Sequence, residues 1–212
     1  VLTGVYMHVY EGDLYLVSTD SYRLAEKVLA KSKAALDMLV PASALQDLLR
    51  ILGDFDGEVE LVHDDQQVLF KVGDIELVTR QIEGKYPDYR KLIPTKFEFS
   101  ATLKRAELAN ITKVSSLFAR ESAGSITINL DKKQQQVTIR SVASQLGENT
   151  ASAEAKVSAD GTITLNSRYI LDALQCLNGD DVLFAFNGKL EPCVLKDPAS
   201  ADYLHVIMPL KS

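Results

Sequence analysis

Two stretches of the chain, LVPASALQDLLRIL (39–52) and TLNSRYILDALQCL (164–177), superimpose at an offset of 125 residues. The offset pairs Leu45 with Ile170, Asp47 with Asp172, Leu49 with Leu174 and Leu52 with Leu177. In each, the apolar positions (Leu45, Leu48, Leu49, Leu52; Ile170, Ala173, Leu174, Leu177) fall on one side of a helix. Hairpin patterns precede both helices, in GVYMHVYEGDLYLVS and in GSITINLDKKQQQVTIRSV around Asp131-Lys132-Lys133. Hairpins follow both as well: Gly73-Asp74 separates VLFKV from IELVT, and Asn187-Gly188 separates VLFAF from KLEPCVL. Asp160-Gly161 reads as a further turn, between EAKVS and TITL. The order of elements, more than residue identity, marks an internal repeat of one α+β unit.

The two copies differ at their starts. The second opens with FEFSATLKRAELANITKVSSLFARES, a strand and a helix over 103–118 with Leu108, Ile111 and Ser115 on one face. The first begins directly in its hairpin. The expectation is a chain that lacks roughly one strand and one helix of its first domain, with apolar surface exposed where that helix belongs.

A length of 212 residues suits one large or two small domains, and the repeat divides it at 1–94 and 95–212. No run of 18 apolar residues exists, and VLTGVYMHVY lacks the basic-then-apolar order of a signal peptide. Cys176 and Cys193 lie in apolar patterns and read as buried reduced thiols, which favours the cytoplasm. The net charge of −6 argues against binding nucleic acid by bulk attraction, though not against basic residues gathered on one surface.

Nothing in the sequence supports catalysis. His8, His63 and His205 are far apart and have no metal-ligand spacing. There is no glycine-rich phosphate loop and no Gly-x-Ser-x-Gly elbow. Asp54, Asp56 and Glu58 in GDFDGEVE lack the twelve-residue calcium pattern and read as a polar turn. No metal and no cofactor is expected.

The tail, LHVIMPLKS, is unusual because chain ends tend to be polar unless tied down. Val206, Ile207, Met208 and Leu210 form either a terminal core strand or one wall of a surface site. Here a resemblance enters. STDSYRLA (18–25), GKYPDYRKLIP (84–94), LNSRYILDAL (165–174) and VIMPL (206–210) occur in the order and at the spacings of the bacterial sliding-clamp family, the beta subunit of DNA polymerase III. The resemblance covers the whole chain, from the second of the family's three domains to the end of its third.

The resemblance implies a DNA-clamp fold: head-to-tail homodimers of repeated α+β domains, antiparallel sheets outside and paired helices lining a hole for duplex DNA. It implies no chemistry. It implies instead an apolar pocket between the second and third domains, where the polymerase catalytic subunit, the clamp loader and repair proteins insert a short extended peptide with a glutamine and spaced leucine and phenylalanine. The matching positions are Leu2, Thr19, Tyr22, Arg23, Leu24, Pro87, Lys91, Asn166, Tyr169, Leu190, Pro192, Val206, Ile207, Met208, Pro209 and Leu210. Tyr22 stands where many clamps have histidine and Ser21 where many have glycine, so the peptide preference is left open. Arg50, Lys104, Arg105 and Lys113 are the candidates to face DNA, and Leu117 and Phe118 to meet a neighbouring subunit. Contact with double-stranded DNA would be sequence-blind and weak. An adaptor that has the pocket but never encircles DNA, and a hydrolase on a β-rich fold, are the competing readings.

Overall fold

The computed structural model describes residues 1–53, 55–144 and 147–211, in two compact units. The first comprises Val1–Asp20 and Glu26–Asp88; the second comprises Ser21–Ala25 and the chain from Tyr89 onward. Asp54 of the GDFDGEVE turn lies outside the described residues.

In the first unit, β1 (Gly4–Tyr10) and β2 (Asp13–Thr19) form a hairpin whose register closes with Tyr10 opposite Asp13. The two turn residues, Glu11 and Gly12, have φ of 51° and 84°, the left-handed pair that a tight hairpin turn demands. β3 (Arg23–Lys31) and β4 (Asp37–Pro41) complete the order β3-β2-β1-β4, with the first residues of β3 grouped in the second unit. Helix α1 (Ala42–Leu52) follows at once, then a three-stranded sheet of β5 (Val59–His63), β6 (Gln67–Val72) and β7 (Ile75–Arg80). The β6–β7 turn at Gly73-Asp74 lies where the sequence places it, with Gly73 at φ 58°. Met7, Met38, Val40, Ala44, Val68 and Phe70 form the core, and Leu45, Leu48 and Leu61 pack against it.

The second unit opens with β8 (Phe99–Lys104), which runs straight into α2 (Arg105–Phe118). Then come β9 (Ser125–Asp131), β10 (Gln136–Ala143), β11 (Gly147–Glu154), β12 (Lys156–Val157), β13 (Gly161–Asn166) and α3 (Ser167–Gln175). Finally come β14 (Asp181–Phe186), β15 (Cys193–Lys196) and β16 (Tyr203–Ile207). One sheet has the order β11-β10-β9-β13, the counterpart of β3-β2-β1-β4; within this unit the other runs β12-β8-β14-β15-β16. Repeat and fold class are therefore as expected: α+β, with antiparallel sheets and three helices among the described residues. Ile128, Ile139, Ile163, Ile170 and Phe184 anchor a core that runs continuously between the sheets and helices.

Three expectations need correction. Asp160-Gly161 is not a hairpin: β12 pairs with β8 and β13 with β9, so the chain crosses between sheets there. Its Asp160 carboxylate accepts the Lys132 N–H instead, at 2.6 Å. β14 and β15 do pair, but across a loop of residues 187–192, not a two-residue turn at Asn187-Gly188. The Asn187 side chain is engaged elsewhere, accepting from the Glu98 N–H (2.8 Å) and donating to the Lys96 carbonyl (2.9 Å). Lastly, both cysteines are free, but only Cys193 is buried; Cys176 is exposed at the C-cap of α3.

Candidate functional site

The apolar tail turns out to be two structures in succession. Val206 and Ile207 belong to β16, where they pair with Val194 and Cys193, and they are 2% and 0% exposed. They are core. At Met208 the chain leaves the ladder: the Met208 N–H donates to the Tyr22 carbonyl at 2.8 Å and the Leu210 N–H to the Thr164 carbonyl at 2.9 Å. Pro209 sits between them with no N–H to place, so the bend leaves no orphaned donor there. Met208, Pro209 and Leu210 are half-buried, a surface segment whose backbone is pinned at both ends.

Tyr22 and Arg23 form the neighbouring part. The turn before them passes through Ser21 at φ 76°, a conformation that costs a residue with a Cβ about 1 kcal/mol relative to glycine. Tyr22 projects into solvent at 62% exposure, whereas Leu24 is buried at 3%. The Arg23 guanidinium lies 4.5 Å from the centre of the Tyr169 ring, a cation–π contact. Its Nη1 donates to Asp172 Oδ2 at 2.6 Å, with the two side chains 28% and 38% exposed. Tyr169 and Asp172 are three residues apart on α3, hence on one face. The helix start is fixed by Asn166, whose side chain accepts from the Arg168 N–H at 2.9 Å and donates to the Ala123 carbonyl at 3.1 Å. Asn166 thus acts as the N-cap of α3.

Tyr203 is close enough to this group to feel the Arg23 charge. Its hydroxyl is 2.8 Å from His205 Nδ1, and burial raises its pKa far above the ordinary tyrosine value, with Arg23 pulling weakly in the opposite direction. It stays neutral at any ordinary pH. Leu190 is 68% exposed and Pro192 half-buried in the β14–β15 loop, and Lys91 is exposed in a short 3₁₀ turn, Tyr89–Leu92. In the first unit, Leu2 and Pro87 are exposed and Thr19 half-buried. Beside Pro87, Tyr86 is 8% exposed and stacks on Tyr6 with ring centres 4.8 Å apart. Sequence reasoning missed Asp172 as a site residue. The signal was present, since the repeat aligns Asp172 with Asp47, but nothing in the sequence joins it to Arg23, 149 positions away.

The four basic candidates for DNA fare unequally. Arg105 is turned inward, its Nε donating to the Gly179 carbonyl (2.8 Å) and its Nη1 to the Leu174 carbonyl (3.2 Å). Arg50 pairs with Asp47 at 2.7 Å and Lys104 with Asp181 at 2.9 Å, both on the surface. The hydrogen bond and charge of Asp181 raise the Lys104 pKa. Lys113 is exposed on α2 and lines a groove of about 210 Å³ with Ala106, Ala109, Leu171 and Leu174. Near the end of α2, Leu117 is 50% exposed and Phe118 half-buried. Among the described residues no three His, Cys, Asp or Glu side chains cluster as metal ligands, and no helix is long and apolar enough to cross a membrane.

Residues 1–88 match the model of the DNA polymerase III beta subunit central domain, and residues 90–211 that of its C-terminal domain. The beta sliding clamp of Staphylococcus aureus is 30% identical over 216 aligned residues, which take in all of this chain and 57% of that protein. The chain therefore spans a little over half the length of the curated relatives it matches. Among solved structures, the DNA polymerase sliding clamp of Bacillus subtilis superimposes with a TM-score of 0.93 at 26% identity, over all of this chain and 57% of that one. The DNA polymerase III beta chain of Streptococcus pneumoniae does so with a TM-score of 0.91 at 28% identity, over 100% and 58%.

Proposed function

Because the chain belongs to the DNA polymerase III beta subunit family, we propose that it is part of a DNA sliding clamp, a non-catalytic processivity factor. The whole protein would encircle duplex DNA as a homodimeric ring and tether its partners through short peptides. The observation that carries this reading is the built surface of the second unit. A half-buried Met208-Pro209-Leu210 segment is pinned to Tyr22 and Thr164, beside an Arg23 stacked on Tyr169.

The chemistry suits an extended, mostly apolar peptide. Methionine adapts its shape and suits a surface that serves several partners. Tyr22, whose carbonyl holds the Met208 N–H, is 62% exposed and adds apolar area beside it; Leu190, 68% exposed, is a further apolar candidate. Burying one leucine and one phenylalanine of a partner would contribute about 2 kcal/mol each. Ordering the peptide offsets part of that and leaves affinity near the micromolar range. By family resemblance, Leu2, Thr19, Pro87, Lys91 and Asn166 are further candidates to contact the peptide. Val206, Ile207 and Leu24 act from beneath, as the floor that holds the wall in place. The polymerase catalytic subunit, the clamp loader and repair proteins are the partners this reading expects.

Contact with DNA rests on Lys113 first, with Arg50 and Lys104 secondary because each already has a carboxylate partner. A few phosphate contacts give weak binding that falls steeply with salt. The acidic net charge of −6 makes tight direct binding by this chain still less favourable.

The test is a fluorescence-anisotropy titration of a labelled peptide carrying the glutamine, leucine and phenylalanine, with a control peptide lacking the two apolar side chains. Micromolar binding that the control loses, and that Met208→Ala weakens at least several-fold, is the expected result. Equal binding of both peptides, or none by folded protein, would remove the peptide-tethering assignment.

A further inference from the structure

We propose that Asp172 is a positioning residue for the peptide-binding surface: its carboxylate holds the Arg23 guanidinium over the Tyr169 ring, so that the surface is organised before a partner arrives. The inference rests on the peptide-binding reading above and names a residue on which that surface depends but which it does not itself display.

Three observations support it. The Arg23–Asp172 contact is short, at 2.6 Å, and both groups are about two-thirds shielded from solvent, where an ion pair is screened less than on an open surface. The same guanidinium lies 4.5 Å from the Tyr169 ring centre, so fixing its position also fixes one face of the ring. The backbone beneath is already held: Met208 donates to Tyr22, and the Asn166 cap sets the first turn of α3 that carries Tyr169 and Asp172. What remains to be ordered is the arginine side chain, which has many rotamers, and Asp172 supplies the constraint. Preorganising a surface in this way raises affinity by lowering the ordering cost at binding.

The internal repeat offers a built-in control. Asp47 occupies the equivalent position on α1, yet it pairs with Arg50 one turn along its own helix, with side chains 53% and 76% exposed. A carboxylate at this position therefore has no fixed helical task. In the second copy it reaches across the fold to Arg23.

The test is a double-mutant cycle on peptide binding with Asp172→Ala, Arg23→Ala and the pair, and with Asp172→Asn as a gentler variant. Melting temperature is followed throughout. Asp172→Ala is expected to weaken binding about ten-fold, the scale of losing one charge-assisted contact. Asp172→Asn should fall between it and the parent, and the double variant should match Arg23→Ala alone. A second readout needs no peptide: the ring-current shift of the Arg23 Hδ protons in NMR spectra should vanish in Asp172→Ala and shrink in Asp172→Asn. Parent-like binding by Asp172→Ala, losses that simply add, or an unchanged Arg23 shift would each overturn the proposal. If the parent binds no peptide, the peptide-binding reading falls with it. The Arg23 shift would then decide by itself whether Asp172 positions the pair.

Discussion

Helices α1 and α3 carry the same amphipathic pattern in the same place in two copies of one unit, yet one is covered and the other is not. Leu174 is 2% exposed and Leu49, its counterpart, is 68% exposed. Ile170 and Ala173 are both fully buried at 0%, whereas Leu45 and Leu48 are only partly so. The difference lies in the neighbours. Helix α2 packs over α3, its Arg105 donating to the Leu174 carbonyl itself, while β8 pairs along β14 and puts that strand inside its sheet. In the first unit β5, among the described residues, pairs with β6 alone at the edge of its sheet, and Val59, Val62 and Ile75 are 38%, 45% and 50% exposed. An apolar stripe on a helix shows that something can cover it; the packing decides whether something does.

Shaving both leucines tests this difference most directly. Leu174→Ala should cost roughly 2–5 kcal/mol, since a buried leucine loses both transfer energy and packing. Leu49→Ala should stay within about 0.5 kcal/mol, the usual range for a surface change. Urea unfolding followed by circular dichroism measures both, and equal costs would mean that Leu49 is covered in solution. Replacing Leu49 with glutamate should likewise spare stability while reducing self-association on dilution series.

Alkaline pH sharpens the contrast from the first unit's side. Burial raises the Tyr86 pKa from 10.0 to about 12. A tyrosine whose folded pKa lies above its unfolded value stabilises the fold fully below pH 10, and that contribution is lost as pH rises through 12. Tyr86→Phe should therefore flatten the loss of stability over this window, read by tyrosinate absorbance alongside circular dichroism. An unaltered alkaline profile would show that Tyr86 ionises freely.

The smallest effect concerns turns. Gly12 and Gly124 carry left-handed backbone at φ 84° and 81°, and Ser21 carries the same kind of conformation with a Cβ, at 76°. Ser21→Gly should raise stability by up to about 1 kcal/mol by relieving that strain, less the entropy glycine adds to the unfolded chain. A drop in melting temperature would mean that the serine side chain makes a contact worth more than the strain.

Much of this was legible in the sequence because the signals are local. Helix periodicity marked all three helices, with α2 beginning at Arg105 because the residues before it form β8. The Gly73-Asp74 hairpin followed from two apolar runs and a two-residue turn. Asp160-Gly161 and Asn187-Gly188 carry equally good turn chemistry, and both misled. At Asp160 the partner strands lie in different sheets, and at Asn187 the side chain bonds to backbone 91 residues away at Lys96. The tail posed a choice between core strand and surface wall that composition could not settle; in the structure the core strand ends at Ile207 and burial drops from Met208 onward. Arg105 read as a solvent-facing charge because the acceptors that claim it, the carbonyls of Leu174 and Gly179, leave no trace in the side-chain pattern.

By itself, then, the sequence determined that an α+β unit occurs twice, where its helices run, and which family's motifs the chain carries in register. Periodicity and turn residues act over a few positions, so they survive being read in one dimension. Only the tertiary structure decided that Leu174 is covered and Leu49 is not, that Val206 and Ile207 are buried in β16 while Met208 to Leu210 lie half-buried beyond it, and that Asp172 pairs with Arg23. Burial and charge pairing depend on what the rest of the chain brings near a residue. A pair 149 positions apart meets only because two strands and a helix pack where they do.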